Sequence, residues 1–284
     1  MNHEAAAQQG RIADKFRELR ARDEAALIPF VTAGDPNLDR TRELILEFEA
    51  RGADLIELGV PFSDPMADGP ANQRAAARGL ASGASLPAIL AMVGELRAQT
   101  RIPLILFGYF NPVFHYGCKR LCADAARAGI DGLLVIDLPP EESAELAVPA
   151  RQAGLDLIYL LAPTTPLARS RKIASAASGF LYYVSLLGVT GARACLAADL
   201  ESKLRELRTV TSLPIGVGFG ISTPAQAGEV AAMADAVVVG SALSQLLEAS
   251  AGSSAMVSIA GEFIAALKAA MIGARHERSP CISQ

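Results

Sequence analysis

The 284-residue sequence is poor in lysine and lacks the glycine-rich signatures of nucleotide-binding loops. It contains no Walker-type loop and no convincing dinucleotide fingerprint. A Schiff-base aldolase needs a lysine that points into its active site. Lysine occurs at five positions, and we place none of them at the carboxyl end of a predicted strand: Lys15, Lys119, Lys172, Lys203 and Lys268. Chemistry that proceeds through an imine is therefore disfavoured.

Metal ligands are also sparse. The histidines are His3, His115 and His276, which form no cluster that could hold a catalytic zinc ion. Cys118 and Cys122 lie four residues apart on a predicted helix close to His115, but no fourth ligand is nearby. Packing of the helix accounts for these cysteines better than zinc does, so we predict no metal site. Acid–base chemistry by carboxylates remains.

Membrane, export and nucleic-acid functions find little support. No run approaches 18 apolar residues, so the 51% of hydrophobic residues belong to a large soluble core. The net charge of −4 offers no basic face to nucleic acid. The N-terminal residues are polar and lack an apolar signal core, and the four cysteines show no disulfide framework. We expect a cytoplasmic protein.

Short apolar runs alternate along the chain with longer segments of helical period. This alternation predicts a parallel sheet, and eight such units most simply close into a single (βα)8 barrel. We expect the core at residues 11–272 and a disordered tail at 273–284. The strands are predicted at Ala26–Thr32, Ala53–Gly59, Pro103–Phe107, Gly132–Ile136, Asp156–Leu161, Phe180–Val184, Pro214–Gly218 and Ala236–Gly240.

Each predicted strand is followed by a predicted helix. An extra helix at Gly10–Arg22 is expected to cap the bottom of the fold, and another at Ala255–Ile272 to pack outside it. The chain takes more residues than the usual βα unit of about 30 to pass from the start of strand two to that of strand three and from strand six to strand seven, so the segments after strands two and six hold extra residues. Because barrels build active sites after the carboxyl ends of strands, these two segments, Val60–Ser85 and Ser185–Leu196, are candidate active-site loops.

Two carboxylates lie around the first of these loops, one near the end of the second predicted strand and the other in the loop itself. Glu57 lies in an apolar strand, where its neutral form is favoured, so that it could donate and accept protons near neutral pH. Asp68 lies on a more polar loop, where it should stay ionised and could stabilise a developing cation. The alternatives are a hydrogen-bonded core glutamate for Glu57 and a turn-capping role before Gly69 for Asp68.

A phosphate site is indicated by glycines after strands seven and eight. The segments Gly216–Ser222 and Val238–Leu243 would let the backbone approach an anion, with Ser241 at the start of a helix. Either cluster alone is a weak signal. Their position after adjacent strands, where this architecture usually binds phosphate, makes the prediction stronger.

The sixth loop and several aromatic residues complete the predicted site. Gly188, Thr190 and Gly191 suggest a hinged loop that closes over a substrate, although a passive surface loop would have the same sequence. Five aromatic side chains are placed around the barrel mouth, where they would line an apolar pocket if they do not simply pack: Phe30, Phe107, Tyr109, Tyr182 and Phe219.

Six motifs make the sequence resemble the alpha subunit of tryptophan synthase, over about Arg11 to Glu248. The first motif, ELGVPFSDPMADGP, is highly specific, and the others agree in order and spacing. Leu186 and Leu187 depart from the family, many members of which have polar residues there. The motifs are Glu57–Pro70, Pro29–Pro36, Tyr109–Gly117, Asp137–Glu142, Gly188–Arg193 and Gly218–Ser222.

The resemblance implies a lyase that cleaves indole-3-glycerol phosphate to indole and glyceraldehyde 3-phosphate. Glu57 and Asp68 match the two catalytic acids of the family. The resemblance implies that this chain has no cofactor and that its partner is a beta subunit that carries pyridoxal phosphate, in an α2β2 complex. The beta subunit would be contacted through Asp64, Pro65 and Asn111–Pro112. We add Phe30, Phe107 and Gly218 to the predicted substrate-binding residues because of their predicted places around the barrel mouth. The residues that match the family's pocket and phosphate site are Tyr182, Thr190, Gly191, Phe219, Gly220, Gly240 and Ser241.

Three other functions stay open at this point. One is a sister phosphate-binding barrel of the same pathway, although the related indole-glycerol-phosphate synthase uses a strand-end lysine that this chain lacks. The second is a stand-alone lyase that releases indole without a partner. The third is a non-catalytic regulator of a beta subunit, against which the Glu57 and Asp68 pair argues.

Overall fold

The strands form a closed parallel barrel in chain order, β1 to β8, in which β8 pairs with β1. The computed structural model describes residues 10–185, 193–218 and 220–278. Every predicted strand is confirmed, with bounds that differ by at most three residues. The strands are β1 Ala26–Thr32, β2 Ile56–Gly59, β3 Leu104–Gly108, β4 Gly132–Val135, β5 Asp156–Leu161, β6 Leu181–Val184, β7 Ile215–Gly218 and β8 Ala236–Val239.

Helices surround the barrel and cover the outward faces of its strands. Because both faces of each strand are buried, the strands can be apolar almost throughout, as the sequence shows. The helices are α1 Arg11–Ala21, α2 Leu38–Ala50, α3 Pro70–Ala81, α4 Leu86–Leu96, α5 Phe110–Tyr116, α6 Cys118–Ala128, α7 Ala144–Gln152, α8 Leu167–Ala176, α9 Arg193–Arg208, α10 Pro224–Ala231, α11 Ser241–Ala249 and α12 Met256–Arg278.

Helix α1 closes the bottom of the barrel, as predicted. Its buried face presents Ile12, Phe16 and Leu19 to the side chains inside the barrel. The ring of Phe16 lies 5.8 Å from that of Phe180, which is fully buried in the barrel interior. The interior is thereby sealed at the amino ends of the strands, and any opening must lie at their carboxyl ends.

Charged side chains fasten this bottom face. Asp131 is almost fully buried and accepts hydrogen bonds from Arg11, at 2.7 Å, from Arg97, at 3.0 Å, and from the backbone N–H of Leu104, at 2.8 Å. Burial lowers the pKa of Arg97 to about 10. A buried arginine of this kind depends on its carboxylate partner, so Asp131 ties α1, α4 and β3 together.

The predicted helices and loops need correction in four places. The segment Val60–Ser85 is not all loop, because helix α3 occupies Pro70–Ala81. A short helix, α5, follows β3 where none was predicted. Helix α9 begins at Arg193, inside the segment predicted to be a loop as far as Leu196. The last helix continues past Ile272 to Arg278.

Helix α12 contains a stretch, Met256–Arg275, that is long and apolar enough to cross a membrane, and it is the one such unbroken helix in the described ranges. Its buried residues recur every three or four positions: Met256, Ala260, Ile264, Leu267 and Met271. That face packs against α10 and α2. The helix therefore has the burial pattern of a core-packing helix on the outside of the barrel.

Candidate active site

A cavity of about 430 Å³ opens at the carboxyl ends of the strands. Its floor follows from strand geometry, because side chains two residues apart on a strand point to the same face. Glu57 follows Leu55 in this way, and Phe107 follows Ile105, both of the earlier residues being packed inside the barrel. The floor residues of this kind are Phe30, Glu57, Phe107, Ile136, Leu160, Tyr182 and Val238.

Glu57 supplies the carboxyl group of this floor. It lies in β2 in register with Phe30 of β1 and Ile105 of β3, and it is only 1% exposed. Its Oε1 atom has no hydrogen-bond partner among the described residues. Burial raises the pKa of Glu57 to about 8. The prediction of a carboxyl whose neutral form is favoured is confirmed, and the alternative of a hydrogen-bonded core glutamate is not supported for this oxygen.

Asp68 lies at the rim of the same cavity, two residues before α3. Its Oδ2 atom accepts a 2.9 Å hydrogen bond from the Tyr109 hydroxyl, which itself accepts one of 3.0 Å from the backbone N–H of Ala67. Asn72, four residues further along the chain, lines the same cavity. The Gln73 amide donates to the Asp68 carbonyl oxygen at 2.9 Å. Side chain and backbone of Asp68 are thus both held.

The electrostatic contrast between the two acids is smaller than the sequence predicts. Burial raises the pKa of Asp68 above its usual value, against the expectation of a carboxylate in a polar loop. The hydrogen bond from Tyr109 and the nearby side chain of Asn72 oppose this rise. Glu57 has no such opposing contact and is shifted by burial alone. The two carboxyls therefore differ in their hydrogen-bond donors, which favour the ionised form only at Asp68.

Aromatic side chains shape the apolar wall. Phe30 and Phe107 pack edge to face with their ring centroids 5.1 Å apart, and both line the cavity. This packing needs a glycine at position 59, because a Cβ there would lie 2.6 Å from the Phe30 ring. Tyr109 lines an adjoining smaller pocket with Asp68. The predicted aromatic lining is confirmed for Phe30, Phe107 and Tyr182.

Tyr182 depends on a neighbouring glycine in β7. A Cβ at Gly218 would overlap the Tyr182 hydroxyl oxygen and lie 3.0 Å from Val238 Cβ. Burial and the charge of Glu57 raise the pKa of Tyr182 well above its usual value, so the phenol stays neutral. Gly218 itself does not line the cavity, and its contribution to the site is the space it leaves for Tyr182.

Gly220, Gly240 and Ser241 line another part of the cavity. Gly240 precedes α11, and Ser241 is its first residue, so the free N–H groups of that helix lie at the cavity. Gly220 adopts a positive φ of 80°, which a glycine tolerates without strain. Thr190, Gly191 and Phe219, together with Gly188, Leu186 and Leu187, lie outside the described residues.

Several lining residues were missed by the sequence analysis. Pro70, Ala71 and Asn72 come from the first turn of α3, and Arg74 from its second turn. Gln245 comes from α11. The feature that would have identified α3 is the alanine-rich run after Pro70, because proline is favoured in the first turn of a helix and alanine within it. Recognising α3 would have placed its amino-terminal turn beside Asp68.

The residues described do not form a metal site. No three of their histidine, cysteine or acidic side chains are grouped so that they could hold a metal ion. All five lysines lie in helices rather than at strand ends, as predicted. The fold and the cavity therefore define a (βα)8-barrel enzyme, and the titratable groups among the described residues that line the cavity are the carboxyls of Glu57 and Asp68, the phenol of Tyr182 and the guanidinium of Arg74.

Comparison with known proteins gives the family. The chain belongs to the tryptophan synthase alpha chain family, whose sequence model matches residues 16–271. An alpha chain from Citrifermentans bemidjiense is 56% identical over 258 residues, which cover 91% of this chain and 96% of the relative. One from Geotalea uraniireducens is 56% identical over 259 residues, which cover 91% and 97%. The resemblance seen in the motifs is confirmed.

Solved structures agree with the barrel. Tryptophan synthase subunit alpha from Legionella pneumophila superposes with a TM-score of 0.87 at 37% identity, over 93% of this chain and 99% of that one. A chain of tryptophan synthase from M. tuberculosis in a ligand-free form gives 0.83 at 30% identity, over 93% and 100%. The chain is accordingly a lyase of tryptophan biosynthesis, with the indole-3-glycerol phosphate cleavage activity of its family.

Proposed function

We propose that the chain cleaves indole-3-glycerol phosphate by a retro-aldol step in which Glu57 is the general acid and base and Asp68 stabilises the indole ring. The observation that carries this proposal is the unpartnered Oε1 of Glu57, buried at the cavity floor. Leaving a buried polar atom unpaired costs free energy, about 1–3 kcal/mol. An enzyme can accept that cost where the atom must bond to a substrate.

The chemistry follows from the protonation state of Glu57. With a pKa of about 8, this carboxyl carries its proton in most molecules at pH 7. It donates that proton to C3 of the indole ring, which leaves the ring positively charged. The resulting carboxylate takes the proton of the glycerol hydroxyl next to C3. The bond between C3 and that carbon then breaks, its electron pair returns to the ring, and an aldehyde forms.

Asp68 stabilises the positive charge that develops on the indole ring. As a carboxylate it would accept a hydrogen bond from the indole N–H, and this bond strengthens when the ring becomes positive. Its contacts with Tyr109 and Asn72 favour the ionised form that this role requires. The glycines at 220 and 240 and the amino-terminal turn of α11, with Ser241, would hold the phosphate. Thr190, Gly191 and Phe219 are proposed binding residues on the strength of the family motifs.

Glu57→Gln tests the assignment, because it keeps the shape of the side chain and removes its proton chemistry. We expect indole release to fall at least a thousandfold, about 4 kcal/mol of transition-state stabilisation. Calorimetric binding of glyceraldehyde 3-phosphate should stay within about twofold, since phosphate contacts alone hold that ligand. Glu229→Gln, on an exposed part of α10, is the matched control and should keep full activity. Substantial turnover by Glu57→Gln would overturn the assignment.

We also propose a beta-subunit partner, which carries pyridoxal phosphate, and an α2β2 complex in the cytoplasm. The rim next to the cavity supports such an interface, because two large apolar side chains are exposed there, Met66 at 90% and Phe114 at 57%. Met66 follows Asp64 and Pro65, and Phe114 lies in α5 with Asn111 and Pro112.

The interface is tested by mixing the chain with a beta subunit and following both association and indole release. Met66→Asp should weaken association at least tenfold, whereas Val148→Asp, at another exposed apolar side chain on α7, should not. Equal binding by both variants would place the interface elsewhere. High turnover of the isolated wild-type chain, unchanged by the partner, would mean a stand-alone lyase.

A further inference from the structure

Helices α3 and α11 lie against each other at the cavity, and their amino-terminal turns both line it. Helix α3 begins at Pro70, directly after Asp68 and Gly69. Helix α11 begins at Ser241, where we place the phosphate. The proposed catalytic carboxylate and the proposed phosphate site are therefore each attached to the start of one of two neighbouring helices.

A side-chain contact joins these helices close to their starts. Ser244, one turn after Ser241, is 2% exposed, and its hydroxyl donates a 2.9 Å hydrogen bond to Oδ1 of Asn72. Asn72 lines the cavity together with Asp68, and its side chain favours the ionised form of that carboxyl. A carboxylate can only accept hydrogen bonds, so the NH2 group of Asn72 must be the part that faces Asp68. Its carbonyl oxygen then has to meet the serine, which is the arrangement seen.

Ion pairs join the same helices further along. Glu248 of α11 accepts hydrogen bonds from Arg74, at 2.7 and 2.8 Å, and from Arg78, at 2.8 Å. Arg78 also forms two bonds, of 2.7 and 2.8 Å, with the buried carboxylate of Asp35 after β1. The half-exposed Arg74 pair adds little stability, whereas the Arg78 pair is bidentate and partly buried. Helices α3 and α11 are thus fixed to each other and to the barrel.

We propose that Asn72 and Ser244 are positioning residues that hold the carboxylate of Asp68 in register with helix α11, so that the phosphate end of the site and the catalytic carboxylate move together. This inference rests on the proposed function and adds to it a physical link between its two ends. Neither residue has to touch the reacting atoms. Asn72 acts by orienting Asp68, and Ser244 acts by fixing which face of the Asn72 amide points to it.

The two residues should therefore affect the titration of Asp68 and the rate more than the binding of phosphate. Asn72→Ala removes a donor that favours ionised Asp68, so the pKa of Asp68 should rise, by about one pH unit. The acidic limb of the kcat/KM profile should move to higher pH by the same amount. We expect kcat to fall about tenfold, with KM changed less than threefold.

Ser244→Ala should give a smaller change in the same direction, because the Asn72 amide is then free to turn. The double variant should resemble Asn72→Ala alone, since the serine acts only through the asparagine. Ser175→Ala is the matched control, because that serine is exposed and its hydroxyl bonds back to its own helix, at the Lys172 carbonyl oxygen. It should change neither pKa nor rate.

The direct test is a ¹³C NMR titration of the Asp68 carboxyl in wild type and in these variants, with inorganic phosphate then added to each. We expect the pKa changes given above, and an Asp68 signal that responds to phosphate in wild type and at most half as strongly in Asn72→Ala. An unchanged Asp68 pKa in Asn72→Ala, or additive effects in the double variant, would overturn the link. The NMR titration needs no turnover, so it tests the link between Asn72 and Asp68 independently of the proposed reaction. Failure of the proposed reaction mechanism would appear in a different experiment, as cleavage of substrate by Glu57→Gln.

Discussion

The Tyr109 hydroxyl donates a 2.9 Å hydrogen bond to Oδ2 of Asp68 across 41 residues of sequence. Tyr109 follows β3 directly and caps the start of α5, so it is attached to the rigid barrel. Asp68 lies in the segment between β2 and α3. The bond therefore anchors a loop residue to the end of a strand, which is the kind of support that keeps a catalytic group in place.

Tyr109→Phe should lower activity and shift its pH dependence. The variant removes a donor to ionised Asp68, so the pKa of Asp68 rises and a higher pH is needed to ionise it. A hydrogen bond to a charged group contributes about 1.5–3 kcal/mol, which corresponds to a loss of kcat/KM of roughly tenfold or more. Steady-state indole release from pH 5 to pH 9 measures both effects.

The control for this variant is Tyr116→Phe. Tyr116 donates a similar 2.8 Å bond to Asp124, away from the cavity, so its loss should leave the pH profile unchanged. If Tyr109→Phe shows the same acidic limb as wild type, Tyr109 does not support the ionised form of Asp68.

Glu57 should make the folded chain less stable as the pH rises. Its pKa is about 8 when folded and 4.5 when unfolded, so between these values the folded state holds a proton that the unfolded state has lost. Stability is therefore lost over this window, at about 1.4 kcal/mol per pH unit at most. Glu57→Gln does not titrate, and its advantage over wild type in urea unfolding should grow by roughly 2–4 kcal/mol from pH 5 to pH 8. A constant difference would show that Glu57 titrates normally.

Gly218→Ala should disturb the cavity through Tyr182. The added methyl group overlaps the tyrosine hydroxyl, so the ring has to move, at a cost of about 1–3 kcal/mol. We expect kcat/KM to fall at least tenfold and the melting temperature to drop. Adding Tyr182→Leu should restore the melting temperature without restoring activity. Gly94→Ala, which meets open space in α4, is the control and should not destabilise.

Asp131→Asn should destabilise the fold and leave the chemistry intact. It removes the charge that faces Arg11 and the mostly buried Arg97, and breaking such a pair costs about 3–5 kcal/mol. Activity at 20 °C should stay within twofold, because these groups lie at the opposite end of the barrel from the cavity. Asp14→Asn, in an exposed pair with Arg17, should cost less than about 1 kcal/mol in urea unfolding.

The barrel was predictable because its strands carry a simple signal. Runs such as Ala26–Thr32 and Asp156–Leu161 are apolar, short and separated by helices, and both have the predicted bounds. Glu57 was found for the related reason that a carboxylate is conspicuous in such a run. Helix α3 was missed because Pro65, Gly69 and Pro70 dominate the start of its segment, although Pro70 occupies a position in the first turn of a helix where proline is well tolerated.

The partners of the site residues were not predictable from local sequence. Ser244 meets Asn72 across 172 positions, and no periodicity or composition connects two such residues. The raised pKa of Asp68 was also missed, because the polarity of a loop sequence does not show how much of the barrel rim will cover it. Both depend on how the closed barrel brings α3 beside α11.

The most direct measurement is indole release from indole-3-glycerol phosphate by the purified chain, alone and with a beta subunit, for wild type and Glu57→Gln. We expect slow release by the wild-type chain, at least a tenfold acceleration with the partner, and no detectable release by the variant in either condition. Cleavage by Glu57→Gln at a rate close to that of wild type would contradict the central claim that the buried carboxyl of Glu57 transfers the protons.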